Sequence, residues 1–140
     1  MTNRKLAYIV KDQKPLVLAL GYTVQYACRC MRERSAGSVL VIDDQQRLRG
    51  IFTGRDAVRL LAEGKDATVS TLAQAMTPDP ITITPDRRAI DALRAMSNGG
   101  FRHLPVVDNG KIWGIVARSD FKGMEIDQLD EEEYLWECIR

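Results

Sequence analysis

Residues 38–56, SVLVIDDQQRLRGIFTGRD, and residues 102–120, RHLPVVDNGKIWGIVARSD, are two copies of one pattern. In each, an apolar run of β type ends at an acid (Asp43, Asp108) and a polar turn follows. A second apolar run then passes a glycine (Gly50, Gly114) and stops just short of another acid (Asp56, Asp120). Asn109-Gly110 supplies the positive φ angles that a tight hairpin needs. The polar residues before Asp56 and Asp120 read as the mouth of a helix. A chain that must build this hairpin twice has few folds open to it.

The repeat extends beyond the hairpins. Pro15-Leu16-Val17-Leu18 matches Pro80-Ile81-Thr82-Ile83, each a short strand led by proline, where no ladder donor is required. Val24, Cys28 and Met31 match Ala89, Leu93 and Met96, apolar at i, i+4 and i+7 of a helix, the first capped by Thr23. The offset is 65 residues from Pro15/Pro80 to Asp43/Asp108 and 64 at Gly50/Gly114. The missing residue therefore falls in the hairpin turn, where a change of length costs least. The prediction is an α/β fold of two β-α-β-β-α repeats, each too short to be comfortable alone, packed about a pseudo-twofold axis. The first repeat spans 12–64, with Ala57, Val58, Leu60 and Leu61 on the apolar side of a helix ending near Gly64. A connector, 65–75, carries a short helical piece after Ser70 or Thr71. The second repeat spans 76–123 and an acidic tail 124–140, while residues 5–10 are an apolar lead-in with no sharp signal.

Composition excludes several classes. The 140 residues are 45% hydrophobic and 28% charged, ordinary for a globular protein. No apolar run approaches the ~18 residues that span a bilayer, and the N-terminus lacks a signal-peptide core, so no membrane is expected. Three cysteines without paired spacing suit a reducing cytoplasm. Cys28 and Cys30 lie on different sides of a helix and, with a single histidine in the chain, leave no metal set. Gly99-Gly100 precedes a strand and reads as a turn rather than a phosphate loop, and no nucleophile has a base beside it, so no enzyme is expected. The net charge of +1 hides an asymmetry: residues 125–140 carry seven acids and one base. A basic body could favour anionic ligands, but the charge is too diffuse, and the aromatic residues too few, for nucleic acid. Leu129, Tyr134, Leu135, Trp136 and Ile139 make the tail too apolar for a freely solvated end, so 123–140 is expected to dock on its own module or a dimer mate.

These residues resemble a tandem pair of cystathionine-β-synthase (CBS) domains, the Bateman module, over about residues 12–123. The resemblance rests on RHLPVVD at 102–108 and on the two Gly-apolar-apolar-x-x-x-Asp segments in register. It implies two clefts between the halves that bind AMP, ADP, ATP, NAD or S-adenosylmethionine, a homodimer, and regulation of an attached or partner protein. By the family's arrangement one cleft gathers Lys14, Ala19, Ala36, Gly37, Ser38, Ile115, Ala117 and Asp120, with Arg102 for phosphate. The other gathers Asp79, Thr84, Phe101, His103, Ile51, Thr53 and Asp56.

The chemistry supports such a role. A carboxylate at Asp56 or Asp120, in the first turn of a helix, can accept from both hydroxyls of a ribose. Thr53-x-x-Asp56 is also a capping box, a purely local use of the same acid, and Ala117 stands where Thr53 has its hydroxyl. The leading expectation is a stand-alone adenine-nucleotide sensor, with AMP or another adenosine ligand signalling to a regulated protein. Its rival is a ligand-free module that dimerises and docks a partner.

Overall fold

The computed structural model describes residues 3–121 and 123–139, except for the side chains of residues 124, 128, 133 and 136–139. In chain order the elements are α1 (Leu6–Val10), β1 (Val17–Ala19), α2 (Val24–Arg34), β2 (Ser38–Ile42), β3 (Leu48–Thr53), α3 (Gly54–Ala62), α4 (Leu72–Ala75) and β4 (Thr77–Pro78). Then come α5 (Ala89–Gly99), β5 (His103–Asp108), β6 (Lys111–Ala117), a 3-10 turn (Arg118–Asp120) and α6 (Gly123–Ile139). The chain divides into two units, residues 14–80 and residues 1–13 with 81–140, so the repeated strand-helix pattern becomes a mixed α/β fold built twice.

In the unit of residues 14–80 the sheet order is β1-β2-β3-β4. β1 lies parallel to β2, and the other neighbours are antiparallel. Val39, Val41 and Phe52 point from this sheet into a core completed by Val24 and Ala27 of α2, Leu60 of α3 and Leu72 of α4. Thr23 caps α2 by accepting from the Tyr26 N–H at 3.2 Å. Of the four apolar residues expected on one side of α3, Leu60 is buried and Ala57 half-buried. Val58 and Leu61 are 65% and 69% exposed, because the helix offers the sheet a stripe only one residue wide at each turn.

The other unit repeats this plan with different materials. β5 and β6 form the hairpin, with Asn109 at φ 50° and Gly110 at φ 78°, the left-handed pair expected of the Asn-Gly turn. A bulge falls between Val106 and Val107, matching the one between Val41 and Ile42 in the first hairpin. Residues 80–83 are not the full strand that the match to 15–18 predicted. Only Ile83 pairs, in a parallel bridge to Val106, with its N–H on Pro105 O at 3.0 Å and its carbonyl accepting from Val107 at 2.9 Å. The two hydrogen bonds hold the chain where a strand would run, without extending it.

Residues 5–10, unassigned from sequence, belong to this second unit and close it. Leu6 and Val10 of α1 are buried with Leu93, Met96, Leu104 and Val116. Backbone bonds from Leu6 to Arg87 (2.9 Å) and from Ala89 to Arg4 (2.8 Å) pair this segment with the start of α5. In the first unit, Leu72 to Tyr22 (2.8 Å) and Val24 to Ser70 (2.9 Å) do the same for α2. Thus α1 and Leu6 do for one unit what α4 and Leu72 do for the other.

The tail docks on its own unit. α6 packs against α5, with Leu129 buried and Ile126 half-buried against the core. Glu125, 1% exposed, takes a bidentate ion pair from Arg4, and Glu132 takes another from Arg94. Tyr134 and Leu135 remain exposed, while the side chains of Trp136 and Ile139 lie outside the described residues. Among the described residues no helix is long and apolar enough to cross a membrane.

Candidate functional site

The two acids singled out by the repeat hold equivalent positions with unequal surroundings. In each hairpin the second strand ends, the chain turns, and the carboxylate reaches back to the backbone three residues earlier. Asp56 Oδ2 accepts from the Thr53 N–H at 2.9 Å, and Asp120 Oδ2 from the Ala117 N–H at 2.7 Å. This half of a capping box orients both side chains at the start of a helical turn.

Beyond that bond they part. Asp56 is 3% exposed, and its Oδ1 accepts from Arg59 Nη2 at 2.7 Å and from Thr77 Oγ1 at 3.0 Å. The Thr53 hydroxyl lies 3.5 Å from Oδ2. A carboxylate has about four lone-pair sites, and all four of Asp56 face protein donors. Asp120 is exposed on a single 3-10 turn, and among the described residues only the Ala117 N–H donates to its carboxylate. Arg4 approaches the same turn through the Asp120 backbone carbonyl, at 3.0 Å, which leaves the acid itself open.

Around Asp120, within residues 81–121, stand several of the expected residues. Ala117 lies directly opposite His103 in the hairpin, and Arg102 just ahead of it is exposed, its carbonyl accepting from Arg118 at 3.0 Å. His103 is half-buried. Burial holds its imidazole below the usual histidine range, opposed by the charge of Asp120 and reinforced by that of Arg102. Ile115, half-buried, has both backbone groups taken by the Gln13 side-chain amide, at 2.9 and 2.8 Å. Phe101 is half-buried against the core, and Thr84 is exposed, its hydroxyl on Asp86 and helping hold that acid below its ordinary range.

The remaining expected residues lie in the unit of 14–80. Ser38 is buried and pairs directly with Thr53, and Ile51 is buried and pairs with Thr77. Ala36 is half-buried, its N–H bonded to Met31 O at 2.9 Å, and Gly37 is exposed. Lys14, ahead of β1, and Ala19, its last residue, are exposed, the Lys14 carbonyl accepting from Arg34. Asp79 is exposed at φ 47°, its N–H on Arg49 O at 3.0 Å. Two residues that sequence reasoning passed over matter here. Arg59 sits three residues beyond Asp56, a spacing that could have flagged it, whereas nothing local to Gln13 marks it as a partner for Ile115.

With this geometry in view, the comparisons define the class. The CBS domain family model matches residues 9–63 and again 69–124, and the chain belongs to that family. It is 40% identical over 119 residues to an uncharacterized 17.7 kDa protein of Acidianus ambivalens, covering 84% of this chain and 71% of that one. It is 44% identical over 100 residues to the CBS domain-containing protein CBSCBSPB2 of Arabidopsis thaliana, covering 71% of this chain. The chain spans about a fifth of the length of that relative, 19%. Among solved structures it shares its fold with a CBS domain protein of Pyrobaculum aerophilum complexed with AMP (TM-score 0.82, 19% identity, 91% of this chain and 99% of that one). The CBS domain pair of protein MJ0100, in complex with 5′-methylthioadenosine and S-adenosylmethionine, has a TM-score of 0.76 at 24% identity, covering 90% and 98%.

Proposed function

We propose that this chain is a regulatory module rather than an enzyme, that it binds an adenosine nucleotide against the Asp120 turn, and that occupancy there is signalled to a partner protein. The observation that carries the reading is the exposed Asp120 carboxylate, oriented by the Ala117 N–H with its remaining acceptor sites open among the described residues. Such a group accepts from the two hydroxyls of a ribose, contacts of about 1.5–3 kcal/mol when the acceptor is charged. Arg102, exposed on the neighbouring strand start, offers a planar donor fork for phosphate, and the aliphatic side chain of Ile115 an apolar surface for the base. The relatives of like fold that were solved with AMP or with S-adenosylmethionine lend the ligand class its support. A homodimer is part of the same proposal, and so is a location in the cytoplasm.

Ligand signalling is limited by the ligand's differential affinity for the two arrangements it distinguishes. The test is a thermal-shift and calorimetric panel of AMP, ADP, ATP, NAD, S-adenosylmethionine and GMP. A ligand at about 100 times its Kd stabilises by ~2.7 kcal/mol, which is easily seen. AMP is expected to stabilise more than GMP, since a base that leaves buried polar groups unmatched loses about 1–3 kcal/mol. Equal shifts for AMP and GMP remove the adenine claim, and no shift with any of the six removes the nucleotide reading in favour of a ligand-free docking module.

A further inference from the structure

We propose that Arg59 is a latch on the first repeat: by occupying Asp56 it keeps that acid from a ribose, so the chain carries one open nucleotide site, at Asp120, and one that opens only when Arg59 lets go. This rests on the nucleotide reading above and goes beyond it by naming the residue that makes the two repeats unequal.

Three observations converge. Asp56 is nearly sealed, and Arg59 Nη2 at 2.7 Å is its shortest bond. Arg59 also donates to Ala75 O at 3.2 Å, so one guanidinium fastens the acid and the end of α4 together. The second copy lacks the device altogether: at the 64-residue offset that relates Gly50 to Gly114, Arg59 becomes Gly123 and Thr53 becomes Ala117. Two of the three side-chain donors to Asp56, Thr53 and Arg59, thus have no counterpart beside Asp120 in the sequence, and the third, Thr77, is brought in by the fold.

Release has somewhere to go. Arg59 is half-exposed and lines a cavity of about 410 Å³ with Asp56, Glu63, Lys65, Ser70 and Gln74. Glu63 lies four residues further along the chain, the other spacing at which a helical side chain finds a neighbour. Its carboxyl is held below the ordinary range, first by the Lys65 hydrogen bond and charge and in smaller part by Arg59. Arg59 therefore has two acids to choose between, Asp56 toward the hairpin and Glu63 away from it. Thr53 and Thr77 hold Asp56 by neutral hydroxyls, which a ribose diol can replace in kind. A guanidinium is the partner that a ribose hydroxyl cannot match.

The test is AMP titration by calorimetry on the full chain, wild type, Asp120→Asn, Arg59→Gln and Asp120→Asn/Arg59→Gln, with melting temperatures alongside. Wild type is expected to show one event of higher affinity, lost in Asp120→Asn. The double variant is expected to regain AMP binding about two- to fivefold tighter than any remaining in Asp120→Asn, the range for releasing a half-exposed ion pair. Arg59→Lys, which keeps a charge but not the fork, should fall between wild type and Arg59→Gln. The double variant binding no better than Asp120→Asn overturns the latch while leaving the nucleotide reading in place. Asp120→Asn retaining the tight event overturns the placement of the nucleotide at Asp120, and the latch with it. Silence of the wild type and every variant overturns the nucleotide reading and the latch with it. Melting gives a separate check. Asp56→Asn should lower the melting temperature by about 5 °C or more, and Asp120→Asn by far less; equal shifts would mean that Asp56 is not the tied acid.

Discussion

Replacing Arg4 by Met should be among the most damaging single changes outside the hydrophobic core. Arg4 donates Nη2 to Glu125 Oε1 at 2.8 Å, Nε to Oε2 at 3.2 Å, and its backbone N–H to Oε2 at 3.2 Å. The Glu125 side chain is 1% exposed and that of Arg4 15%. The hydrogen bond and charge of Glu125 hold the guanidinium above its ordinary range despite the cost of burial. Arg4→Met takes the guanidinium from a buried carboxylate that keeps the backbone N–H of residue 4, so the cost should lie toward the lower end of the ~3–5 kcal/mol for breaking a buried pair. Glu125→Leu strands a guanidinium instead, but Arg4 already reaches the surface and keeps its bond to the Asp120 carbonyl, so about 1–2 kcal/mol is expected. The double variant should recover part of the loss, since apolar replacements of buried pairs often come out neutral. Urea denaturation of the four proteins, followed by far-UV circular dichroism, measures the cycle. The order is the decisive result. If Glu125→Leu costs as much as Arg4→Met, or if Arg4→Met costs under about 1 kcal/mol, the pair is not the desolvated clamp between the N-terminal segment and α6 that its geometry describes.

Two further outcomes follow from the same structure. Gln13→Ala removes the amide that bonds both backbone groups of Ile115, and should destabilise by about 1–3 kcal/mol without changing the first unit; hydrogen exchange at the Ile115 amide should accelerate, and unaltered protection there would refute the role. His103, the chain's one histidine, should titrate in NMR below the ordinary histidine value of about 6.5, and lower still in Asp120→Asn, because burial depresses it and the Asp120 charge opposes that. With the folded pKa below the unfolded one, the unfolded chain binds more protons, so His103's contribution to stability is full above about pH 6.5 and is lost as pH falls from there toward the folded value. A His103 pKa above 6.5 would contradict the burial argument.

The hairpins, their turn and the helices behind them were legible because each rests on local rules. Alternation of apolar residues, Asn-Gly at 109–110, and apolar spacing along 24–31 and 89–96 act within a few residues of one another, and a repeat states each of them twice. The two acids could be found the same way, since Gly-to-Asp spacing puts both at a helix start. Their inequality was only partly legible. Thr53 against Ala117 was visible, but the donors that close Asp56 include Thr77, 21 residues on, and a guanidinium whose choice among neighbouring acids depends on what packs around it. The N-terminal segment was hidden altogether. Five residues of helix and a lone Gln13 carry no local signal strong enough to assign, and their destination is set by distant groups that must be satisfied: the Ile115 backbone, the carbonyl of Arg87, the buried Glu125. The glycine at the middle of each second strand belongs to the same class. A Cβ at Gly50 would lie 2.9 Å from Thr77 O, and one at Gly114 would lie 2.9 Å from Val10 Cβ. Sequence by itself determined the two hairpins, the helices behind them and their repetition, because those follow from neighbours along the chain. Tertiary structure alone decided which segment closes each unit and completed the closure of Asp56, because a buried donor or acceptor is satisfied by whatever the fold brings to it, at any distance in sequence.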